Sequence, residues 1–250
     1  MTVIVTGAAG GIGHAVADAL TAAGTPVLAA DLPDSRWPGL PPDRPVRYWE
    51  GDVADEDAVA RLFREADGLT GLAHVAGVFH LSPFARTAIE DFARVQRVNA
   101  AGTFLVLREA VRAFAGGAPG SGSGAVVTVT SNAARVPRRG MAAYGASKAA
   151  ATQLTRIAGL ELAAHGVRAN VVCPGSTDTR MQREMWGEDA EAGRLAVLRG
   201  DLGSHRLGIP LGRIAEPRDV AGAVRFLLSE EARHVTMQEI HVDGGAGLGP

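Results

Sequence analysis

Seven short apolar runs, each closed by turn residues, recur along the chain: TVIVTG, TPVLAADL, PVRYWEGDV, GLAHVAGV, GAVVTVTS, GVRANVVCPG and MQEIHVDGG. Their length, β-branched content and flanking glycine or proline read as strands. Between them, apolar positions recur with the period of a helix over about residues 11–23, 55–66, 87–115, 143–165 and 217–229. Strands that are apolar throughout are buried on both faces, and strands separated by helices pair in parallel. The pattern therefore predicts an α/β fold, a doubly wound (Rossmann) seven-stranded parallel sheet with helices on both faces. No internal repeat or dividing linker interrupts it, so residues 1–250 read as one domain.

Three stretches stand outside the pattern. AGGAPGSGSGA (115–125) has the composition of a flexible surface loop, and PDSRWPGLPPDRP (33–45) that of a proline-stiffened connection. Residues 180–208, rich in charge, Met and Gly, form a mixed and partly helical insertion between the sixth strand and the last helix. Ligands in doubly wound sheets sit beyond the C-terminal strand ends, so this insertion is placed to act as a lid.

Composition narrows the partners. With 46% hydrophobic and 21% charged residues the chain is ordinary globular protein, and a net charge of -2 without like-charge blocks leaves no footprint for nucleic acid or a membrane surface. The single cysteine, Cys173, excludes an intrachain disulfide and has no Cys/His set around it, so no metal site is expected and a reducing cytoplasm fits. The opening MTVIVTGAAGG has no basic segment and soon breaks into glycines, unlike a signal peptide or a spanning helix.

Two ends of the predicted crevice carry candidate chemistry. VTGAAGGIG joins the first strand to the first helix and spaces Gly7, Gly11 and Gly13 so that backbone N–H groups can approach a pyrophosphate. Asp31 closes the second strand, where a carboxylate accepts from both ribose hydroxyls and repels a 2'-phosphate. With no basic residue among Ala8, Ala9 and Gly10, NAD is favoured over NADP, Arg36 being the one residue that argues the other way. Asp52, in GDVAD, is placed to reach the adenine amino group or to cap the following helix, a role open to Asp55 as well.

At the other end lies YGASK. Lys148 is the sole lysine among 25 basic residues, and it shares a helix face with Tyr144 one turn away. A phenol with a pKa near 10 needs a drop of about 2 to 3 units to act as a base near neutrality, which a neighbouring ammonium and a positive nicotinamide ring favour. Ser131 closes the fifth strand facing the same crevice. Its hydroxyl would hold a substrate oxygen while Tyr144 takes the proton and hydride leaves for the nicotinamide, with no metal required.

TGAAGGIG, Asn99 in VNAAG, Ser131 before YGASK, PG at 174–175 and VDGG near the end together resemble the short-chain dehydrogenases/reductases over the whole chain. The resemblance implies a catalytic tetrad of Asn99, Ser131, Tyr144 and Lys148, Asn99 helping to hold the water through which Lys148 exchanges protons. It also implies a cofactor lined by Ile12, Leu32, Asp52, Val53, Val75, Ala76, Gly77, Pro174, Gly175, Thr177 and Thr179, with Tyr144 and Lys148. Where the family shows Asn-Asn-Ala-Gly or Asn-Ala-Ala-Gly, this chain has His74, Val75, Ala76 and Gly77, and His74 reads as structural.

PRRGMAAYGASKAA (137–150), PGSTDTRMQREMW (174–186) and LGIPLGRIAEP (207–217) resemble a narrower group, the 2,3-dihydro-2,3-dihydroxybenzoate dehydrogenases of catechol siderophore pathways. By that resemblance the partner is a carboxylate-bearing cyclic alcohol and Arg138 clamps its carboxylate, with Arg139 left open. Met141, Gln182 and Arg183 are further substrate candidates, the last two equally readable as polar helix surface. The amino analogue, dihydro-3-hydroxyanthranilate, is an alternative substrate. A non-catalytic dinucleotide sensor and an NADPH-dependent carbonyl reductase are other readings, opposed by the intact tetrad and by Asp31. The resemblance also implies a homotetramer, the helices near 87–115 and 143–165 packing across an interface. Their stripe of Ala150, Leu154 and Ala158 either serves that interface or faces the sheet, and residues beyond VDGG could reach a neighbouring subunit.

Overall fold

Alternation along each strand sends neighbouring side chains to opposite faces of the sheet, and both faces are covered. In the computed structural model, which describes residues 1–116, 124–186 and 189–248, the strands are β1 (Thr2–Thr6), β2 (Val27–Asp31), β3 (Val46–Glu50), β4 (Leu69–His74), β5 (Gly124–Val129), β6 (Val167–Pro174), the short β7 (Gly200–Asp201) and β8 (Arg206–Leu207), and β9 (Glu239–Val242). Most of the glycine- and serine-rich loop, two residues of the insertion and the last two residues of the chain lie outside the described residues.

Seven strands form one sheet in the order β3-β2-β1-β4-β5-β6-β9, every pair parallel; β7 and β8 pair only with each other, antiparallel. Strand order reverses between β1 and β4, and the loops leaving those two strands open the crevice in which such sheets bind ligands. The expectation of a seven-stranded doubly wound sheet holds.

Two apolar layers flank the sheet. Val3, Val5, Val27, Ala29 and Val127 pack against α1 (Gly11–Ala22) and the last helix, which runs Pro217–Leu228. Ile4, Leu28, Leu72 and Val126 point the other way, against α2 (Glu56–Arg64) and two longer helices. The expected helix over 87–115 runs unbroken from Ile89 to Ala115 but is not α throughout. It consists of α3 (Ile89–Gln96), one wide π turn (Arg97–Ala101) that holds the buried Asn99, and α4 (Gly102–Ala115). The next helix, α5 (Ala142–Ala163), is unbroken. Ala158 belongs to the core under the sheet and Leu154 packs against it. The outward face of α5 instead carries Ile157 and Leu160, 46% and 65% exposed.

The insertion folds into α6 (Arg180–Arg183), α7 (Ala190–Arg199) and the β7–β8 hairpin, after which α8 (Pro217–Leu228) returns to the sheet. Among the described residues no helix is long and apolar enough to cross a membrane.

The approach of α1 to β1 requires glycine. A methyl on Gly13 would lie 2.1 Å from the Gly7 carbonyl oxygen, a backbone atom that cannot move aside cheaply. Gly13→Ala should therefore destabilise the protein by about 1 to 3 kcal/mol and weaken dinucleotide binding, measured by urea unfolding and cofactor titration. Unchanged stability would show that the turn yields.

Candidate active site

The turn after β1 is built to face an anion. Gly7 has φ +67, and a side chain there would meet the Ala76 backbone at 2.7 Å, so the turn lies directly on the loop leaving β4. The N-cap of α1 is Gly10, no side chain caps the helix, and its first turn holds no acid. Its N–H groups and positive dipole end are thus available to a pyrophosphate. Asp31, at the end of β2, accepts from Ala9 N–H and Leu32 N–H, both at 2.8 Å, and from the Ser35 hydroxyl. The carboxylate is thereby fixed against the glycine turn, both Oδ1 lone pairs and one on Oδ2 taken and one on Oδ2 left over. Leu32 is exposed beside it, while Val53 packs against Gly102 of α4. Asp52 accepts from Ala54 N–H and lies 3.7 Å from Arg97; the cap of α2 is Asp55, which accepts from Ala58 N–H.

Across the crevice, β4 and the π turn are tied together by polar groups whose directions are determined. Thr6 Oγ1 accepts from Val75 and Ala76 N–H, so its hydrogen goes to His74 Nδ1 at 2.8 Å. Thr103 Oγ1 donates to the Asn99 carbonyl at 2.6 Å, so it accepts from His74 Nε2–H at 2.9 Å. His74 is therefore a neutral Nε2–H tautomer, and burial, reinforced by the Lys148 charge, pushes its pKa down to about 3. Its structural reading is consistent with this position. The Asn99 amide pairs with Val78 through both N–H and C=O, each at 2.8 Å, and donates to Ser147 Oγ at 3.0 Å. That side chain braces three elements at once.

Ser131 follows β5 by two residues, and its Oγ accepts from Ala133 N–H, which orients the hydroxyl. Asn132 beside it donates to Asp243 of VDGG, and Asp243 also lies against Gly175 of the PG turn, so the two C-terminal motifs support the serine. Tyr144 and Lys148 share one face of α5. The Tyr144 ring packs edge-on to Phe79 at 4.9 Å, and Lys148 Nζ lies 5.8 Å from its centroid while donating to the Val129 carbonyl at 3.2 Å. A methyl on Gly77 would come within 3.1 Å of both Lys148 Nζ and Asn99 Oδ1.

Both titrating groups are perturbed by desolvation. Burial pushes the Tyr144 phenol up to about 12, against the opposing hydrogen bond of Ser131, and pushes Lys148 down to about 8. The protein by itself thus holds the phenol protonated, contrary to the lowering a base requires.

A cavity of about 390 Å³ opens in front of Ser131 and Tyr144. Ile12, Pro174, Gly175, Thr177 and Thr179 line its cofactor end; Arg138, Met141 and Gln182 line the rest. Arg183 is not brought there. It is 62% exposed and forms a two-point pair with Asp178 at 2.6 and 2.9 Å. Arg139 lies at the rim, donating to the Gly203 carbonyl. Arg206, from β8, also lines the cavity and was not singled out from sequence, since a two-residue strand carries no periodicity.

Among the described residues, one trio has metal-ligating atoms close together: Cys173, Glu239 and His241. Glu239 is already held by Arg135 at 2.8 Å and Arg156 at 3.3 Å, two positive charges that oppose a cation there.

The chain belongs to the short-chain dehydrogenase/reductase family, and a family model described as enoyl-(acyl carrier protein) reductase matches residues 7–247. It is 43% identical to the 2,3-dihydro-2,3-dihydroxybenzoate dehydrogenase of Escherichia coli (strain K12) over 250 residues, covering 98% of this chain and 96% of that one. It is 40% identical to the protein of the same name from Bacillus subtilis (strain 168) over 254 residues, covering 98% and 95%. Among solved structures, levodione reductase superposes with a TM-score of 0.88 at 26% identity, covering 100% of this chain and 98% of that one. The protein is accordingly an oxidoreductase of the kind that uses a nicotinamide dinucleotide.

The buried ammonium makes stability depend on pH. Lys148 titrates at about 8 in the folded protein and at its ordinary value of 10.5 when unfolded. Between those values the unfolded chain binds the extra proton, so stability rises with pH across the window. Wild type should gain about 3 kcal/mol relative to Lys148→Met from pH 8 to 10.5. Denaturant unfolding at the two pH values measures it; parallel curves would show a solvated ammonium.

Proposed function

We propose that the protein oxidises 2,3-dihydro-2,3-dihydroxybenzoate to 2,3-dihydroxybenzoate with NAD, in the cytoplasm and as a step of catechol siderophore synthesis. The observation that carries the reading is one cavity holding Ser131, Tyr144 and the half-buried Arg138, which has no acidic partner within salt-bridge distance among the described residues. A carboxylate on the substrate supplies the missing counterion, and the names of the E. coli and B. subtilis relatives agree with that chemistry.

Asp31 supports NAD: its fixed carboxylate sits at the end of β2, where a 2'-phosphate would meet like charge. Gly7, Gly11 and Gly13 would cradle the pyrophosphate, with Ile12, Thr177 and Thr179 around the nicotinamide half. When bound, the oxidised nicotinamide accepts hydride and adds a positive charge near the phenol, which lowers its pKa.

Ser131 donates to the substrate oxygen, and Tyr144 takes the hydroxyl proton as the carbon–hydrogen bond breaks. Lys148 stabilises the phenolate, and Asn99 acts as a brace, its amide being committed to Val78 and Ser147. Arg138 fixes the ring by its carboxylate, with Met141 and Gln182 beside it. The reaction yields a ketone and one released proton. Tautomerisation of the ketone to the aromatic catechol then draws the equilibrium forward. The 180–208 insertion would close over the ring as a lid. We also propose a homotetramer, supported by the exposed Phe104, Ile157 and Leu160 on α4 and α5.

Purified protein given NAD and the dihydrodiol should form NADH and fluorescent catechol; turnover of the amino analogue alone would displace this assignment. Tyr144→Phe should lower kcat about 1,000-fold with the fold unchanged by circular dichroism, whereas retained activity would remove Tyr144 as the base. Asp31→Ser should shift the NAD-over-NADP preference by about 100-fold, read as the ratio of kcat/KM values; an unchanged ratio would assign the choice elsewhere.

A further inference from the structure

We infer that Arg206 is a second substrate-binding residue, which grips the substrate carboxylate together with Arg138 and so makes the site selective for anionic rings. The inference rests on the proposed carboxylated diol as substrate. Arg138 comes from the loop before α5 and Arg206 from the β7–β8 hairpin of the insertion, and both line the cavity in front of Ser131 and Tyr144. The two are close enough for the Arg138 charge to lower the Arg206 pKa, after the larger effect of burial. Neither forms an ion pair among the described residues: Asp243 raises the Arg138 pKa and Asp201, across the hairpin from Arg206, raises that of Arg206, each by charge alone. By contrast, Arg183, Arg194 and Arg213 each form a two-point pair with a carboxylate.

Arg206 is also held in place. Its Nη2 donates to Ser176 Oγ at 3.3 Å, which anchors the hairpin to the loop after β6 and leaves the other guanidinium N–H groups for a ligand. Two half-buried guanidiniums from separate elements, neither in an ion pair among the described residues, repel each other and are partly desolvated. An anion between them relieves both costs, and a carboxylate matches the planar fork of each.

The test compares wild type with Arg206→Gln and Arg206→Lys on two substrates, the dihydrodiol acid and the same cyclohexadiene diol without its carboxylate, and measures benzoate binding by calorimetry. The acid-over-neutral ratio of kcat/KM should fall about 10- to 100-fold in Arg206→Gln, mostly through KM, and benzoate affinity should fall with it. Arg206→Lys should be intermediate, because an ammonium keeps the charge and loses the fork. An unchanged ratio together with unchanged benzoate affinity in both variants would overturn the inference. If wild type oxidises neither diol but binds benzoate in an Arg206-dependent way, the anion site stands and the substrate reading fails. Should Arg206→Gln not fold, Arg206→Lys decides by the same two measurements.

Discussion

The buried amide of Asn99 is the constraint on which the rest of the site depends. One side chain pairs with both backbone groups of Val78 and with Ser147, joining the loop after β4 to the α3–α4 run and to α5. Without it the part-buried N–H and C=O of Val78 would each lose this partner, at a cost of up to about 1 to 3 kcal/mol, while Ser147 would keep its bond to the Tyr144 carbonyl. A regular α-helix from α3 into α4 does not have this geometry here; the wide turn at Arg97–Ala101 does. The backbone ladder widens there to π spacing, Gly102 N–H bonding the Arg97 carbonyl, and the Thr103 hydroxyl donates to the Asn99 carbonyl. His74 and Thr6 continue the same network to β1, so the end of β1 and α5 are parts of one hydrogen-bonded body.

This explains what sequence could and could not show. Buried parallel strands impose unbroken apolar runs, and each of the seven was legible as such. A periodicity argument reads average spacing over a dozen residues, so one wide turn inside residues 87–115 leaves the pattern almost unchanged. Arg183 and Arg206 show a different limit. Both are arginines in the same insertion, and nothing in their neighbours separates one that faces Asp178 from one that faces the cavity. Only the path of the hairpin does so, and that path depends on backbone contacts such as Gly200 at φ +78 packed against Arg206 and Gly208.

The electrostatics of the crevice are those of a site awaiting charge. His74 is held neutral, Tyr144 is held protonated and the Lys148 pKa is lowered to about 8, all chiefly by burial. None of these groups is matched by an opposite charge from the protein. Desolvation that penalises charges in the cavity also strengthens whatever interactions a charged ligand makes there. The raised phenol and the lowered arginines have in this sense one cause, burial in the cavity wall.

The same burial accounts for the single lysine of the chain. Lys148 is 6% exposed, its Nζ lies against the Val129 carbonyl, and even a methyl on Gly77 would crowd it. A guanidinium is wider, keeps its charge at any pH a protein meets, and needs partners for five N–H groups. In this space most of them would be buried without acceptors. An ammonium needs fewer partners, and burial lowers its pKa to about 8 here. Twenty-four basic positions tolerate arginine, and this one requires a cation that is small and able to titrate.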